Sequence, residues 1–305
     1  MRALILRGTL KTLLASLFIW SSAFAQDEAA SDGKPALARK TFESAVLIDN
    51  QTDVVNSPQT LEWNIQHRFG TVSNGASDLW GMFAASNIRL GFSYTPVNRL
   101  GLGVGLSKVQ VTNPFVDLNA KYKILQQGAS GGSPVNITYF GNAVIDTRAE
   151  SNFDKEVHRL SYFNQLIVSR RFSSKFSAQA SFMLSHFNSV DTLFKNNVMG
   201  VGLAARYKVS PQSSILLEWT QPITQHPLNE AAAPLGRDVG PKMNLAIGFE
   251  VATSSHAFQF FAGTYRDILP QYNLAYNTNT WTRDVDGKNK MSFIFGFNIT
   301  RLWNF

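Results

Sequence analysis

Apolar and polar residues alternate with a period of two through most of this chain, and the alternation stops and restarts at short intervals. At the C-terminus, Met291, Phe293, Phe295, Phe297, Ile299, Trp303 and Phe305 stand at every second position, broken only at Arg301. Smaller or more polar residues fill the gaps: Ser292, Gly296, Asn298, Thr300 and Asn304. A period of two puts one set on each face of a β-strand. Twelve segments carry the pattern, near 60–69, 87–95, 100–109, 115–125, 135–146, 158–170, 176–186, 197–207, 214–221, 243–251, 256–264 and 290–301. In the first, Glu62, Asn64, Gln66 and Arg68 oppose Leu61, Trp63, Ile65 and Phe69. In the fourth, Asp117, Asn119, Lys121 and Lys123 oppose Val116, Leu118, Ala120, Tyr122 and Ile124. Most of these strands exceed the usual globular length and approach the roughly 9–11 residues that cross a bilayer at a tilt.

The connections alternate in length. The stretches 96–99, 127–133, 171–175, 209–213 and 252–255 are short and rich in Ser, Pro, Gly or Asn, as tight turns require. Between them lie 70–86, 110–114, 147–157, 187–196, 222–242 and 265–289, of which 110–114 is the one short member. Short turns on one side and longer loops on the other describe an antiparallel up-and-down barrel, and an even strand count brings both termini to the same side.

Period alone leaves two barrels open, because a soluble barrel shows the same alternation with the apolar face inward. Residues 1–25 tip the balance. Arg2, Arg7 and Lys11 form a basic start, 13–20 is mostly apolar, and Ala23-Phe24-Ala25 is a small-x-small cleavage site, as in a secretory signal peptide. An amphipathic terminal strand ending on Phe305 has the form of an outer-membrane assembly signal. The expected organisation is therefore a signal peptide over 1–25, a partly disordered periplasmic segment over 26–56, and a transmembrane β-barrel of about twelve strands over 57–305, with short periplasmic turns and long external loops. Outer-membrane lipid and the barrel assembly machinery are its expected partners. Trp63, Tyr94, Tyr122, Tyr207 and Trp303 fall near the periplasmic strand ends, where amphipathic rings form an interfacial girdle. Phe176 sits with them.

This orientation turns a set of charged residues inward: Glu62, Arg68, Arg89, Asp117, Lys121, Lys123, Asp146, Arg159, Arg206, Glu218 and Glu250. They are the candidate lumen-lining residues. Their mixed signs allow either a paired network that closes the interior or a narrow polar path. Composition narrows the chemistry further. There is no cysteine, so disulfides, thiolate metal sites and cysteine nucleophiles are excluded. The chain holds 28 basic and 21 acidic residues, and three of the basic ones lie in the signal, which leaves a small positive excess and no case for a nucleic-acid partner.

Local motifs add little. Gly101, Gly103 and Gly105 lack the third glycine and following helix of a nucleotide fingerprint, since position 106 is Leu106; glycines on the inward face read as clearance within the wall. His67, His158, His186, His226 and His256 have no metal-ligand spacing. A hydrolase needs a hydroxyl within reach of a base. His186-Phe187-Asn188-Ser189 is the nearest approach to such a pair and is one residue too long. No catalytic residue, metal site or cofactor is expected. Asn136-Ile137-Thr138 and Asn298-Ile299-Thr300 match a glycosylation pattern inside predicted strands and are discounted.

Several stretches carry a family resemblance: Arg39-Lys40-Thr41-Phe42-Glu43-Ser44, His67-Arg68-Phe69-Gly70, Leu79-Trp80-Gly81 and Ile88-Arg89-Leu90-Gly91-Phe92-Ser93-Tyr94. Tyr122-Lys123-Ile124-Leu125, Arg159-Leu160-Ser161-Tyr162 and Phe295-Gly296-Phe297-Asn298-Ile299 complete them. From residue 39 to the end the chain resembles a family of outer-membrane β-barrels of Bacteroidetes type that is known only as a domain of unknown function. It departs near Phe83, where an acidic residue is expected. The resemblance implies a fold and a location and supplies no activity. The expected function is a narrow pore or binding barrel for small polar solutes. The alternatives are a structural barrel that docks another envelope protein and an outer-membrane hydrolase. Because 41–44 belongs to the matching pattern yet precedes the strands, residues 39–56 are expected either to restrict the periplasmic mouth or to lead simply into the first strand.

Overall fold

The computed structural model describes residues 36–108, 114–235, 238–285 and 288–305. The proposed signal peptide and the first ten residues after it lie outside them. A small hairpin comes first, β1 (Val46–Leu47) and β2 (Asn50–Gln51). The next strands are β3 (Thr60–Thr71), β4 (Asn87–Val97), β5 (Leu100–Lys108), β6 (Phe115–Leu125), β7 (Asn136–Asp146) and β8 (Leu160–Arg171). Then follow β9 (Phe176–Phe187), β10 (Asn197–Lys208) and β11 (Ser213–Pro222). A short helix α1 (Pro227–Ala232) precedes β12 (Asn244–Ala252) and β13 (His256–Gly263). A second helix α2 (Pro270–Tyr276) and a loop hairpin, β14 (Thr282–Val285) with β15 (Lys288–Met291), precede β16 (Ile294–Asn304).

Twelve of these strands, β3 to β13 and β16, close into one barrel, each paired with its neighbour in sequence. Closure is antiparallel between β16 and β3, with Ile299 opposite Ile65 and Asn304 opposite Thr60. Closing the sheet on itself leaves no unpaired edge inside the bilayer, where an unsatisfied backbone group costs several kcal/mol. The last strand starts later than its alternation suggests. Met291 belongs to β15 because 288–291 pairs antiparallel with 282–285, and β16 begins at Ile294 and runs to Asn304.

Burial follows the period of two. Along β3, Thr60, Glu62, Asn64, Gln66 and Arg68 are buried while the residues between them are half-exposed. On β5, Leu102, Val104 and Leu106 are exposed, as are Leu118, Tyr122 and Ile124 on β6. Apolar outside and polar inside is the transmembrane sense of a barrel. Tyr94, Tyr122, Tyr207 and Phe176 are exposed near the short-turn end, and Trp63 and Trp303 lie on the same outer face at that end. The glycines of β5 make clearance in a specific way: a Cβ on Gly105 would overlap the Asp117 carboxylate and the Arg89 guanidinium.

Candidate functional site

Residues 41–56 rise from the short-turn end into the lumen and turn back at Ile48-Asp49, between β1 and β2. Ile48 has φ 54°, a left-handed conformation that is strained for a β-branched residue by about 1–3 kcal/mol. Wall residues from three strands fix it there. The backbone N–H of Ile48 donates to Gln259 Oε1 at 3.1 Å, and its carbonyl accepts from Arg68 Nη2 at 2.9 Å and Asn298 Nδ2 at 2.8 Å. Next to it, the N–H groups of Asp49 and Asn50 both donate to Glu218 Oε2 at 2.9 Å. The Asp49 carboxylate pairs with Arg68 at 2.9 Å. Apolar contacts supply the rest of the hold. Phe42, Leu47, Ile48 and Val54 pack against inward-facing Ala204, Leu216, Ala246, Phe261 and Ile294, on β10 to β13 and β16. Each of the four larger apolar side chains contributes about 1.5–3 kcal/mol by leaving water.

Lower in the lumen the contacts are polar. Ser44 Oγ donates to Glu250 at 3.1 Å, Lys121 Nζ to the Ala45 carbonyl at 2.8 Å, and Asn136 Nδ2 to Thr41 Oγ1 at 2.9 Å. Lys123 pairs with Asp53 at 3.2 Å, and Arg206 with Glu43 at 2.6 Å. Burial works to raise the Glu43 carboxyl. The hydrogen bond and charge of Arg206, with the charges of Lys208 and Lys40, outweigh it and hold Glu43 below its ordinary value of 4.5.

A second element enters from the opposite mouth. Ile268 and Leu269 pack on Phe115 and Val144, and Leu274 of α2 packs among Phe140, Phe163, Met183 and Val198. Gln271 Nε2 donates to Asn142 and Ser161, both at 3.3 Å. His226 holds the end of α2 through its ring nitrogen and the Ala275 carbonyl, 3.0 Å apart. The hairpin tip and this loop approach one another: Asp49, Asn50, Tyr265, Pro270, Asn273 and Leu274 border one small void of about 10 Å³. The larger remaining space is a chamber of about 60 Å³ on the β3 to β7 side, between the hairpin and the polar wall. At roughly 10–15 Å³ per water, it holds about four to six water molecules.

Ten of the eleven candidate lumen residues face inward in the wall. Glu62, Arg68, Asp117, Lys121, Asp146, Arg206, Glu218 and Glu250 are buried, and Arg89 and Lys123 nearly so. Arg159 is a correction. It ends a short 3-10 turn (Glu156–Arg159) at the outer rim, where it pairs with Glu156 at 3.2 Å and stacks on Phe153. Local turn geometry ends the strand pattern there, and β8 starts one residue later. The inward charges are largely paired. Arg89 forms a fork with Asp117 at 2.8 Å, Asn119 and Asn142 also donate to that carboxylate, and Asp146 pairs with Arg148 at the outer end. The sequence pattern does not mark Glu43, Asp49 and Asp53 as partners of the wall, nor Leu269, Gln271 and Leu274 as lumen residues. The one available signal was the apolar bias of 41–50 outside any predicted strand. His186 has Asn197 Oδ1 and Asn188 Oδ1 at its two ring nitrogens, at 2.8 and 3.1 Å, so its ring contacts are to amides. Among the described residues no group of three or more His, Asp or Glu is placed to hold a metal ion.

Over residues 42–303 the sequence matches a family described as Membrane bound beta barrel domain (DUF5777). No curated protein sequence matches the chain. Among solved structures, it is similar to an outer membrane channel from Pseudomonas putida F1, at 12% identity, covering 82% of this chain and 97% of that one with a TM-score of 0.49. It is also similar to the NanC porin, at 9% identity, 80% and 99% coverage and a TM-score of 0.48. The KdgM porin aligns at 9% identity, 79% and 98% coverage and a TM-score of 0.46. At such identities and scores nothing about this chain is argued from the likeness.

Proposed function

The chain belongs to the membrane bound beta barrel family, it is a barrel of the bacterial outer membrane, and we propose that it is a plugged pore for small polar solutes. One observation carries the reading. The lumen is entered by residues 41–56 from one mouth and by 268–274 from the other, and against the β3 to β7 wall the filling is incomplete, leaving a chamber whose wall side carries Asn64, Gln66, Arg89, Asn119 and Lys121. A wall built only for support has no reason to keep this many hydrogen-bonding groups facing a space. A neutral hydrogen bond such as Asn136 to Thr41 exchanges with water and contributes about 0.5–1.5 kcal/mol net, and the charged one from Lys121 to Ala45 about 1.5–3 kcal/mol. The side of the plug facing this wall therefore yields more readily than its tip, which apolar packing and the Arg68–Asp49 pair hold in place. We assign no catalytic role, since His186 has amides and no hydroxyl at its ring nitrogens.

Planar-bilayer recording of the purified, refolded barrel, with and without residues 27–50, tests the reading. Small or rare conductance steps are expected from the full chain, and stable larger steps from the deletion variant. Silence from a deletion variant that shows the heat-modifiable mobility of a folded barrel overturns the pore and leaves the partner-docking barrel.

A further inference from the structure

Four charged side chains border the chamber of about 60 Å³, and two of them are neutralised locally: Asp49 by Arg68 and Arg89 by Asp117. The other two are Glu62 and Lys121, 4% and 7% exposed. Among the described residues neither has an ion-pair partner within 4 Å, and the leading opposite charge acting on each is the other's. Glu62 accepts one hydrogen bond, from Asn56 Nδ2 at 2.7 Å, and Lys121 donates one, to the Ala45 carbonyl at 2.8 Å. A carboxylate has about four acceptor sites and an ammonium three donors, so both keep hydrogen-bonding capacity to spare, with the Lys121 ammonium also 5.8 Å from the Phe140 ring centroid. Buried charges are normally paired, because an isolated one costs several kcal/mol.

Strand register sets the two charges on opposite banks. Glu62 on β3 lies opposite Ser93 on β4, Ser93 opposite Gly103 on β5, and Gly101 opposite Lys121 on β6. Three strand spacings of ~4.8 Å separate the two backbones by roughly 14 Å across the wall, and Lys121 lies two residues farther along, as Gly101 does from Gly103. The floor between them is Ser93 and two glycines, and a Cβ on Gly101 would find nothing nearer than Val55 Cγ1 at 3.9 Å. On the Glu62 bank, Asn64 Oδ1 is a second acceptor; it is buried, unpartnered, and part of a residue that borders the same chamber.

From this arrangement we propose that the chamber is a binding site for a small zwitterion of the α-amino acid class. The ligand's ammonium sits at Glu62 and Asn64, and its carboxylate at Lys121. An anion alone would meet Glu62 unpaired, and a cation alone would meet Lys121 unpaired. An uncharged solute neutralises neither. The volume sets the size class, since space for about four to six waters matches the five heavy atoms of glycine. The proposal names the solute of the pore reading and rests on it for its physiological sense, but it concerns equilibrium binding and is tested as such.

Equilibrium dialysis of radiolabelled glycine against the refolded full chain is the experiment. The expected result is saturable retention, displaced by unlabelled glycine and not by equal concentrations of acetate or methylammonium. Glu62→Gln and Lys121→Gln should each weaken binding at least about tenfold, the size of one lost charge-assisted hydrogen bond. The exchanged pair Glu62→Lys with Lys121→Glu should recover it to within a few-fold. All variants are checked for heat-modifiable mobility. No retention by the folded barrel, equal displacement by acetate or methylammonium, or indifference to both substitutions overturns the site. Bilayer recordings on the same preparations separate the two ideas. Conductance without glycine binding removes the site and leaves the pore, and glycine binding by a barrel silent with and without its plug removes the pore and keeps the site.

Discussion

Arg68 and Ile48 are joined by a 2.9 Å hydrogen bond from the guanidinium to the carbonyl, across twenty residues of chain. The same guanidinium pairs with the Asp49 carboxylate and donates to Asn298 on the closing strand. One buried side chain thus ties the plug tip to the seam where the barrel shuts.

Arg68→Ala should undock the hairpin without opening the barrel. Breaking a buried pair by removing one partner costs about 3–5 kcal/mol, because the Asp49 carboxylate is left uncompensated. Limited proteolysis should cut within residues 41–56 of the folded variant and spare them in the parent protein, and conductance should rise. Protection equal to the parent would show that Arg68 does not hold the tip.

Acid should loosen the lower clasp. Glu43 is held below its ordinary value of 4.5 in the docked state, burial acting the other way, by Arg206, Lys208 and Lys40. A lowered acid stabilises the docked plug above its free value and loses that contribution as pH falls through the docked value. Protease sensitivity of 41–56 should therefore increase as pH falls below Glu43's ordinary value of 4.5. Glu43→Gln should be sensitive already at neutral pH and flatter across that window. An identical pH profile in parent and variant would assign the change to other carboxylates.

The outer face can be checked at Leu102, which is 47% exposed between two inward glycines. Leu102→Arg should cost about 2–4 kcal/mol if that position lies near the bilayer midplane, read from equilibrium unfolding in lipid vesicles. A neutral result would place it outside the hydrocarbon.

Gly105 and Gly101 should respond differently, although they share a strand and a face. Gly105→Val forces its side chain into the Arg89–Asp117 fork and should destabilise the barrel by about 1–3 kcal/mol. Gly101→Ala meets only an ordinary contact, Val55 Cγ1 at 3.9 Å, and should leave the melting temperature of the barrel within about a degree, as surface-like substitutions do. Equal shifts would mean that the fork is free to move.

The alternation of polar and apolar residues determined most of the wall by itself. A closed sheet satisfies its backbone strand by strand, so twelve amphipathic segments joined by short and long connections leave little choice of topology, and the polar face of β3 or β6 is readable residue by residue. It could also say that Glu62, Arg68 and Lys121 face inward. It could not say which charges cancel. Arg68 is matched by Asp49, Arg206 by Glu43 and Lys123 by Asp53, all from a segment with no periodicity of its own. The pairing depends on how far the hairpin enters, and that is set by shape: Phe42, Leu47 and Ile48 need the apolar hollow made by Leu216, Phe261 and Ile294 on three strands far apart in sequence. The final strand and Arg159 show the same division, because competing local pairing, a loop hairpin in one case and a rim turn in the other, moved residues that period alone placed in the wall. What the tertiary structure alone decided is that Glu62 and Lys121 remain without ion-pair partners among the described residues, on either side of the space the plug leaves open. Pattern fixes the face a side chain takes, and only the folded lumen fixes what stands opposite it.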